Sequence, residues 1–223
     1  MRKQKQKMKV GIKGWLAELG KTLLYDGAVV LLWVICKLLF RFRVYGRRNI
    51  PKDGAILIAR HRSYWDVPLI GVALGFRKVH FVARRTLIKE NLIFGFFVKL
   101  YAIPIDRENF KPSDFRRILQ AIQGRKLVGI FPEGTTKGAP FPRTGVVRFA
   151  ERTGQTILPV NIVPYGPYPP DYPFRFPKVE VRFGRPFTLK ELEQALPRGL
   201  PREERYRRLS LMLMERIDAV GRG

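Results

Sequence analysis

The apolar positions of this chain fall into short strand-like runs separated by longer stretches of helical spacing. Residues 55–59, 78–83, 127–131, 156–163 and 179–183 are runs bounded by turn formers. Runs of that length read as buried strands. Residues 42–45 add an edge strand, and residues 102–105 a further strand that delivers Asp106 and Arg107. Between them lie helical patterns. Val67, Leu69, Ile70, Val72, Ala73 and Leu74 form one, and residues 92–101 form a second. Pro112 opens a third, which runs to Gln123 and is closed by Gly124. Residues 143–152 are closed by Gly154, and Pro201 starts a last helix with Tyr206, Leu209, Leu213 and Ile217 on one face. This alternation predicts an α/β domain over residues 41–223, with a single, mostly parallel mixed sheet flanked by helices. Residues 164–177 break the pattern. Their prolines alternate with Tyr165, Tyr168, Tyr172, Phe174 and Phe176. They read as a stiff surface loop packed by its own aromatics, or as aromatics that touch lipid.

Residues 1–40 follow another rule. A basic arm (Arg2, Lys3, Lys5, Lys7, Lys9) reads as a solvated tail. Ile12, Trp15, Leu16, Leu19 and Leu23 then make an amphipathic helix. Asp26-Gly27 is a turn signal. A strongly apolar segment from Ala28 to Phe40 follows, interrupted by Lys37. A spanning helix needs about 20 apolar residues, and Asp26 and Lys37 interrupt any such span. Both flanks are basic, which places both ends on the cytoplasmic side. The pattern therefore predicts a helical pair lying in the membrane interface, with Trp15 and Trp33 as anchors. A single spanning helix is the competing reading.

The chemistry concentrates in one strand end. The run Ala55-Ile56-Leu57-Ile58-Ala59 leads into Arg60-His61-Arg62-Ser63-Tyr64-Trp65-Asp66. At about 100° per residue, positions five apart on one helix point roughly 140° away from each other. His61 and Asp66 can meet only if His61 lies in the turn and Asp66 in the first helical turn. A carboxylate there fixes the histidine tautomer and leaves the other ring nitrogen as a base. The competing reading is a surface histidine and an aspartate that merely starts the helix. The second histidine, His80, lies inside a strand pattern and reads as structural.

Composition narrows the partners. Lysine and arginine total 43 against 18 acidic residues, a net charge of +25. Such a field suits a polyanion: an anionic membrane, an acidic protein or nucleic acid. The basic residues are spread along the chain and no recognisable nucleic-acid motif accompanies them, so a nucleic-acid-binding module is the weaker alternative. The single cysteine, Cys36, excludes an internal disulfide, and two histidines leave too few ligands for a structural zinc site.

Four motifs in order carry a resemblance. They are His61 with Asp66, then Ile103-Pro104-Ile105-Asp106-Arg107, then Phe131-Pro132-Glu133-Gly134-Thr135, then Ile157-Leu158-Pro159-Val160 with Pro164. Over roughly residues 44–185 the chain resembles the glycerolipid acyltransferase family, and within it the small bacterial enzymes that acylate 1-acylglycerol 3-phosphate (lysophosphatidic acid). The resemblance implies acyl transfer from acyl-CoA or acyl carrier protein to the sn-2 hydroxyl, with no cofactor, at the cytoplasmic face of the cell membrane. It implies His61 as base and Asp66 as its orienting carboxylate. Arg107 is expected to bind acceptor phosphate. Glu133, Gly134 and Thr135 are expected at the acceptor, with Glu133 either binding hydroxyls or bracing its turn. The family carries a basic residue directly after Phe-Pro-Glu-Gly-Thr. Here Thr136 stands there and Lys137 follows, so Lys137 is the expected substitute. Arg84 and Lys89 are further phosphate candidates. Transfer to another glycerolipid acceptor, and hydrolysis by the same pair, are the neighbouring alternatives.

Overall fold

The computed structural model describes residues 2–86, 102–106, 109–136, 141–170 and 176–221. The strands are β1 (Arg43–Tyr45), β2 (Ala55–Ala59), β3 (Val79–Arg84), β4 (Ala102–Ile105), β5 (Leu127–Ile130), β6 (Ile157–Tyr165) and β7 (Lys178–Phe183). They form one sheet in the order β1-β7-β6-β2-β5-β3-β4. Strands β6, β2, β5, β3 and β4 run parallel to one another. β7 lies antiparallel to β6, and β1 pairs parallel with β7. The expected parallel-dominated mixed sheet is therefore the observed one.

The helices are α1 (Arg2–Phe40), α2 (Asp66–Leu74), α3 (Pro112–Gln123), α4 (Gly145–Thr153), α5 (Leu189–Glu193) and α6 (Arg202–Ala219). They cover both faces, which is why β2 reads as an unbroken apolar run. Ala55, Leu57 and Ala59 face a layer built by α2 and the end of α1, with Cys36, Phe40, Leu69 and Ile70. Ile56 and Ile58 face the opposite layer of α3, α4 and α6, with Ile118, Val147, Leu209 and Leu213. All five β2 side chains are fully buried. The expected core face of the last helix is the observed one: Tyr206, Leu209, Leu213 and Ile217 are buried.

Two expectations are corrected. The N-terminal segment is one continuous 39-residue helix and not a pair; it starts in the basic arm and passes through Asp26-Gly27. It is about 58 Å long at 1.5 Å per residue. A single glycine in a helix interior costs about 1 kcal/mol against alanine, too little to break a helix of this length. Its second half, Thr22–Phe40, is long and apolar enough to cross a membrane, and most of it is uncovered by the domain. Leu23, Leu31 and Leu38 are exposed, while Cys36 and Phe40 are fully buried in the core. Among the described side chains of α1, Leu32, Cys36 and Phe40 pack into the domain's core.

The second correction concerns residues 164–177. The β6–β7 ladder continues to the pair Tyr165 and Lys178, so the loop is shorter than its prolines suggest. It is also not simply a surface loop. Phe176 packs edge-on against Phe40 with ring centroids 5.1 Å apart, and Phe40 lies 5.0 Å from Trp65. The helix 92–101 expected from the sequence lies outside the described residues.

Candidate active site

Parallel strands bring their C-terminal ends to one edge of the sheet, where α/β folds build sites. β2 and β5 are neighbours there, with Ile58 opposite Ile130. The turns that follow, 60–66 and 131–136, are therefore pressed together. Phe131 shows this directly: its ring stacks on His61 with centroids 4.2 Å apart and planes 17° apart. That contact seats the imidazole against an apolar wall and leaves it 13% exposed.

Asp66 opens α2, where the helix dipole favours a carboxylate. It is 1% exposed and filled with donors. Oδ2 accepts the backbone N–H of Arg62 at 2.7 Å and that of Ser63 at 2.8 Å. His61 Nδ1 lies 3.1 Å from the same oxygen. Oδ1 accepts the Tyr168 hydroxyl at 2.5 Å. A carboxylate so placed can only accept, so Nδ1 carries the histidine proton and Nε2 is left as the basic nitrogen. Ser63 is buried, and its hydroxyl accepts the Trp65 N–H at 3.2 Å.

Glu133 works on the other side of His61. Its Oε2 accepts the His61 backbone N–H at 2.8 Å, and its Oε1 accepts Arg60 Nη1–H at 2.9 Å. Both carboxylate oxygens are thus used to tie the Phe131–Glu133 turn to the His61 turn. Arg60 is held in turn by Asp218 near the end of α6, through Nε at 2.6 Å and Nη2 at 2.5 Å. These bonds raise the Arg60 pKa above its ordinary value. Gly134 has φ +70°, a conformation that glycine takes without steric cost. A β-carbon there would also stand 3.1 Å from the Arg143 side chain.

The remaining candidates divide. Arg84 ends β3 at the same sheet edge, opposite Ile105 of β4, and is exposed. Thr135 is half-buried in the turn after Glu133. Lys89, Arg107 and Lys137 lie outside the described residues. His80 sits on β3; burial first, then Lys126 and Lys78, lowers its pKa below the ordinary histidine value, as suits a neutral structural residue.

Three participants escaped the sequence reading. Tyr168 lies in a stretch whose pattern predicts a surface loop, yet its hydroxyl meets Asp66 across 102 positions of chain. Arg60 and Asp218 are separated by 158 positions. No local pattern signals such contacts. The one available hint was an arginine at the strand end directly before the histidine.

The chain is similar in sequence and fold to known acyltransferases. The family model described as Acyltransferase matches residues 41–163. A 1-acyl-sn-glycerol-3-phosphate acyltransferase of Bacillus subtilis (strain 168) is 31% identical over 199 residues, covering 88% of this chain and 96% of that protein. A protein of the same name from Streptococcus pneumoniae is 27% identical over 177 residues, covering 77% of this chain and 64% of that protein. The crystal structure of the 1-acyl-sn-glycerophosphate (LPA) acyltransferase PlsC from Thermotoga maritima superimposes with a TM-score of 0.58 at 22% identity, over 90% of this chain and 85% of that one.

Proposed function

The chain belongs to the acyltransferase family, and from that premise we propose that it transfers a fatty acyl group from an acyl thioester to the sn-2 hydroxyl of 1-acylglycerol 3-phosphate, giving phosphatidic acid. The observation that carries this reading is the buried Asp66 carboxylate on His61 Nδ1, which leaves Nε2 as a base at the ligand-binding edge of the sheet.

A hydroxyl is a weak nucleophile at neutral pH, and a histidine's ordinary pKa near 6.5 suits removal of its proton. His61 Nε2 takes that proton as the hydroxyl oxygen bonds to the thioester carbonyl carbon. The tetrahedral adduct then breaks its carbon–sulfur bond. The departing thiolate takes the proton back from the imidazolium, and the ester remains. Asp66 holds the ring and stabilises the imidazolium between these two transfers. The thioester brings its own leaving group, and Ser63 is buried with its hydroxyl engaged, so transfer is direct and passes through no acyl-enzyme. Glu133 serves the reaction by fixing the His61 backbone. Arg107 and Lys137 receive the acceptor phosphate, with Arg84 and Lys89 as further candidates for that role. The donor is acyl-CoA or acyl carrier protein.

The first 40 residues hold the enzyme at the cytoplasmic face of the cell membrane, where its amphiphilic acceptor resides. The exposed apolar face of α1 supports this, with basic residues worth about 1 kcal/mol each near an anionic surface.

Radiolabelled acyl thioester offered with lysophosphatidic acid, glycerol 3-phosphate or neutral monoacylglycerol tests the proposal. Label should enter phosphatidic acid from the first acceptor and scarcely enter products of the other two. Equal use of monoacylglycerol, or release of free fatty acid alone, would overturn it. Arg107→Ala should raise the acceptor KM far more than the donor KM.

A further inference from the structure

Asp66 takes one of its four hydrogen bonds from outside the four sequence motifs. Three donors converge on Oδ2 from its own turn, and the Tyr168 hydroxyl alone, among the described residues, meets Oδ1. Building on the function proposed above, we propose that Tyr168 is a positioning residue for acyl transfer: its hydroxyl fixes Asp66 and moderates the pull of that carboxylate on His61.

The surroundings hold Tyr168 in this role. The β6–β7 ladder closes the base of its loop at Tyr165 and Lys178, three residues upstream and ten downstream. Phe176 docks on Phe40 and Trp65, so the far side of the loop is clamped to the residue preceding Asp66. The Arg62 guanidinium lies 5.8 Å from the Tyr168 ring centroid and donates to the Ile162 carbonyl. Tyr168 is itself half-buried against the core. Burial, and then the Asp66 charge, push its phenol well above the ordinary tyrosine value. It is thus a neutral donor throughout the working pH range.

The consequence has a sign. A donor on Oδ1 stabilises the carboxylate and lowers its basicity. Remove it, and Asp66 stabilises the His61 imidazolium more strongly. Among the described residues, the Tyr168 hydroxyl faces Asp66, with the Arg62 guanidinium beside the Tyr168 ring. Glu133 reaches the His61 backbone, with Arg60 and Asp218 behind it, while Phe131 covers the ring. Tyr168→Phe keeps the ring and changes none of the others.

The test compares Tyr168→Phe with the full-length wild-type protein across pH, with donor and acceptor varied separately. At neutral pH kcat should fall roughly tenfold, as befits loss of a hydrogen bond to a charged group, with both KM values unchanged. The acidic limb of kcat/KM should move to higher pH, so that the deficit shrinks as pH rises. With only two histidines in the chain, NMR titration follows the His61 ring directly once His80 is assigned by substitution. That ring should titrate at higher pH in the variant. An unmoved acidic limb with an unmoved His61 titration would overturn the proposal and leave Tyr168 a packing role. A raised acceptor KM at constant kcat would overturn it in favour of a substrate contact. If the wild-type protein itself transferred no acyl group, the proposed reaction would fail, and the NMR comparison alone would still decide the Tyr168–Asp66 coupling.

Discussion

Replacing Asp66 by asparagine separates charge from geometry in the His61 pair. In a less constrained site, an amide can turn its NH2 toward the histidine and impose the wrong tautomer. Here the backbone N–H groups of Arg62 and Ser63 both point at Oδ2, at 2.7 and 2.8 Å. An NH2 at that position would face three donors. The amide must therefore place its oxygen at Oδ2 and its nitrogen at Oδ1, where the Tyr168 hydroxyl can rotate to accept. His61 Nδ1–H keeps its acceptor, and only the negative charge is lost. Unit charges about 4 Å apart at an effective dielectric near 20 attract by about 4 kcal/mol. The amide returns about 1 kcal/mol as a neutral hydrogen bond. The net loss is about 3 kcal/mol, or roughly 10²-fold in rate. The assay is acyl transfer at saturating substrates, with thermal melting to confirm folding and His61→Ala as the floor. His61→Ala should cost about 10²- to 10⁴-fold. Asp66→Asn should retain activity above that floor. A folded Asp66→Asn protein slowed by about 10⁴-fold, well past the loss of charge alone, would show that the tautomer had inverted and that the donor argument is wrong. Wild-type activity would show that the charge is not felt in the transition state.

Arg60→Ala should lower activity through Glu133, because it frees one Glu133 oxygen and leaves Asp218 without this partner; in a double-mutant cycle with Glu133→Gln the effects should fall short of additive, and strict additivity would refute the coupling. Glu180 is held at about 2 by its hydrogen bond to Lys178 against the opposing cost of burial, with Arg182 and Tyr165 assisting. Its folded-state pKa is below its ordinary value of 4.5, so its stabilisation is present above that value and is lost as pH falls toward 2. Glu180→Gln should melt lower at neutral pH and lose stability less steeply on acidification; an unchanged slope would count against this. Removing residues 1–27, which spares the buried Val29, Cys36 and Phe40, should leave a folded protein that binds anionic vesicles weakly and acylates vesicle-borne acceptor poorly. Full vesicle binding and activity after the deletion would deny α1 its anchoring role.

The chain's own pattern sufficed for whatever depends on neighbouring residues. Unbroken apolar runs such as residues 55–59 revealed strands buried on both faces, and their alternation with helical spacing gave the sheet type. The His61–Asp66 pair was legible because five positions across a strand–helix turn can close only one way. Local patterns also misled where the local signal was weak against its context. Asp26-Gly27 marked a turn, but a cost near 1 kcal/mol cannot interrupt a 39-residue helix. Other features were set only by tertiary structure, because they join residues far apart in the chain. Glu133 meets the His61 N–H because β2 and β5 are neighbours in the sheet and bring their C-terminal turns together. Arg60 meets Asp218 because α6 packs beside β2, and Tyr168 meets Asp66 because the β6–β7 ladder closes its loop over the start of α2. A buried carboxylate collects donors from whichever elements pack around it, and the order of strands in the sheet decides which elements those are.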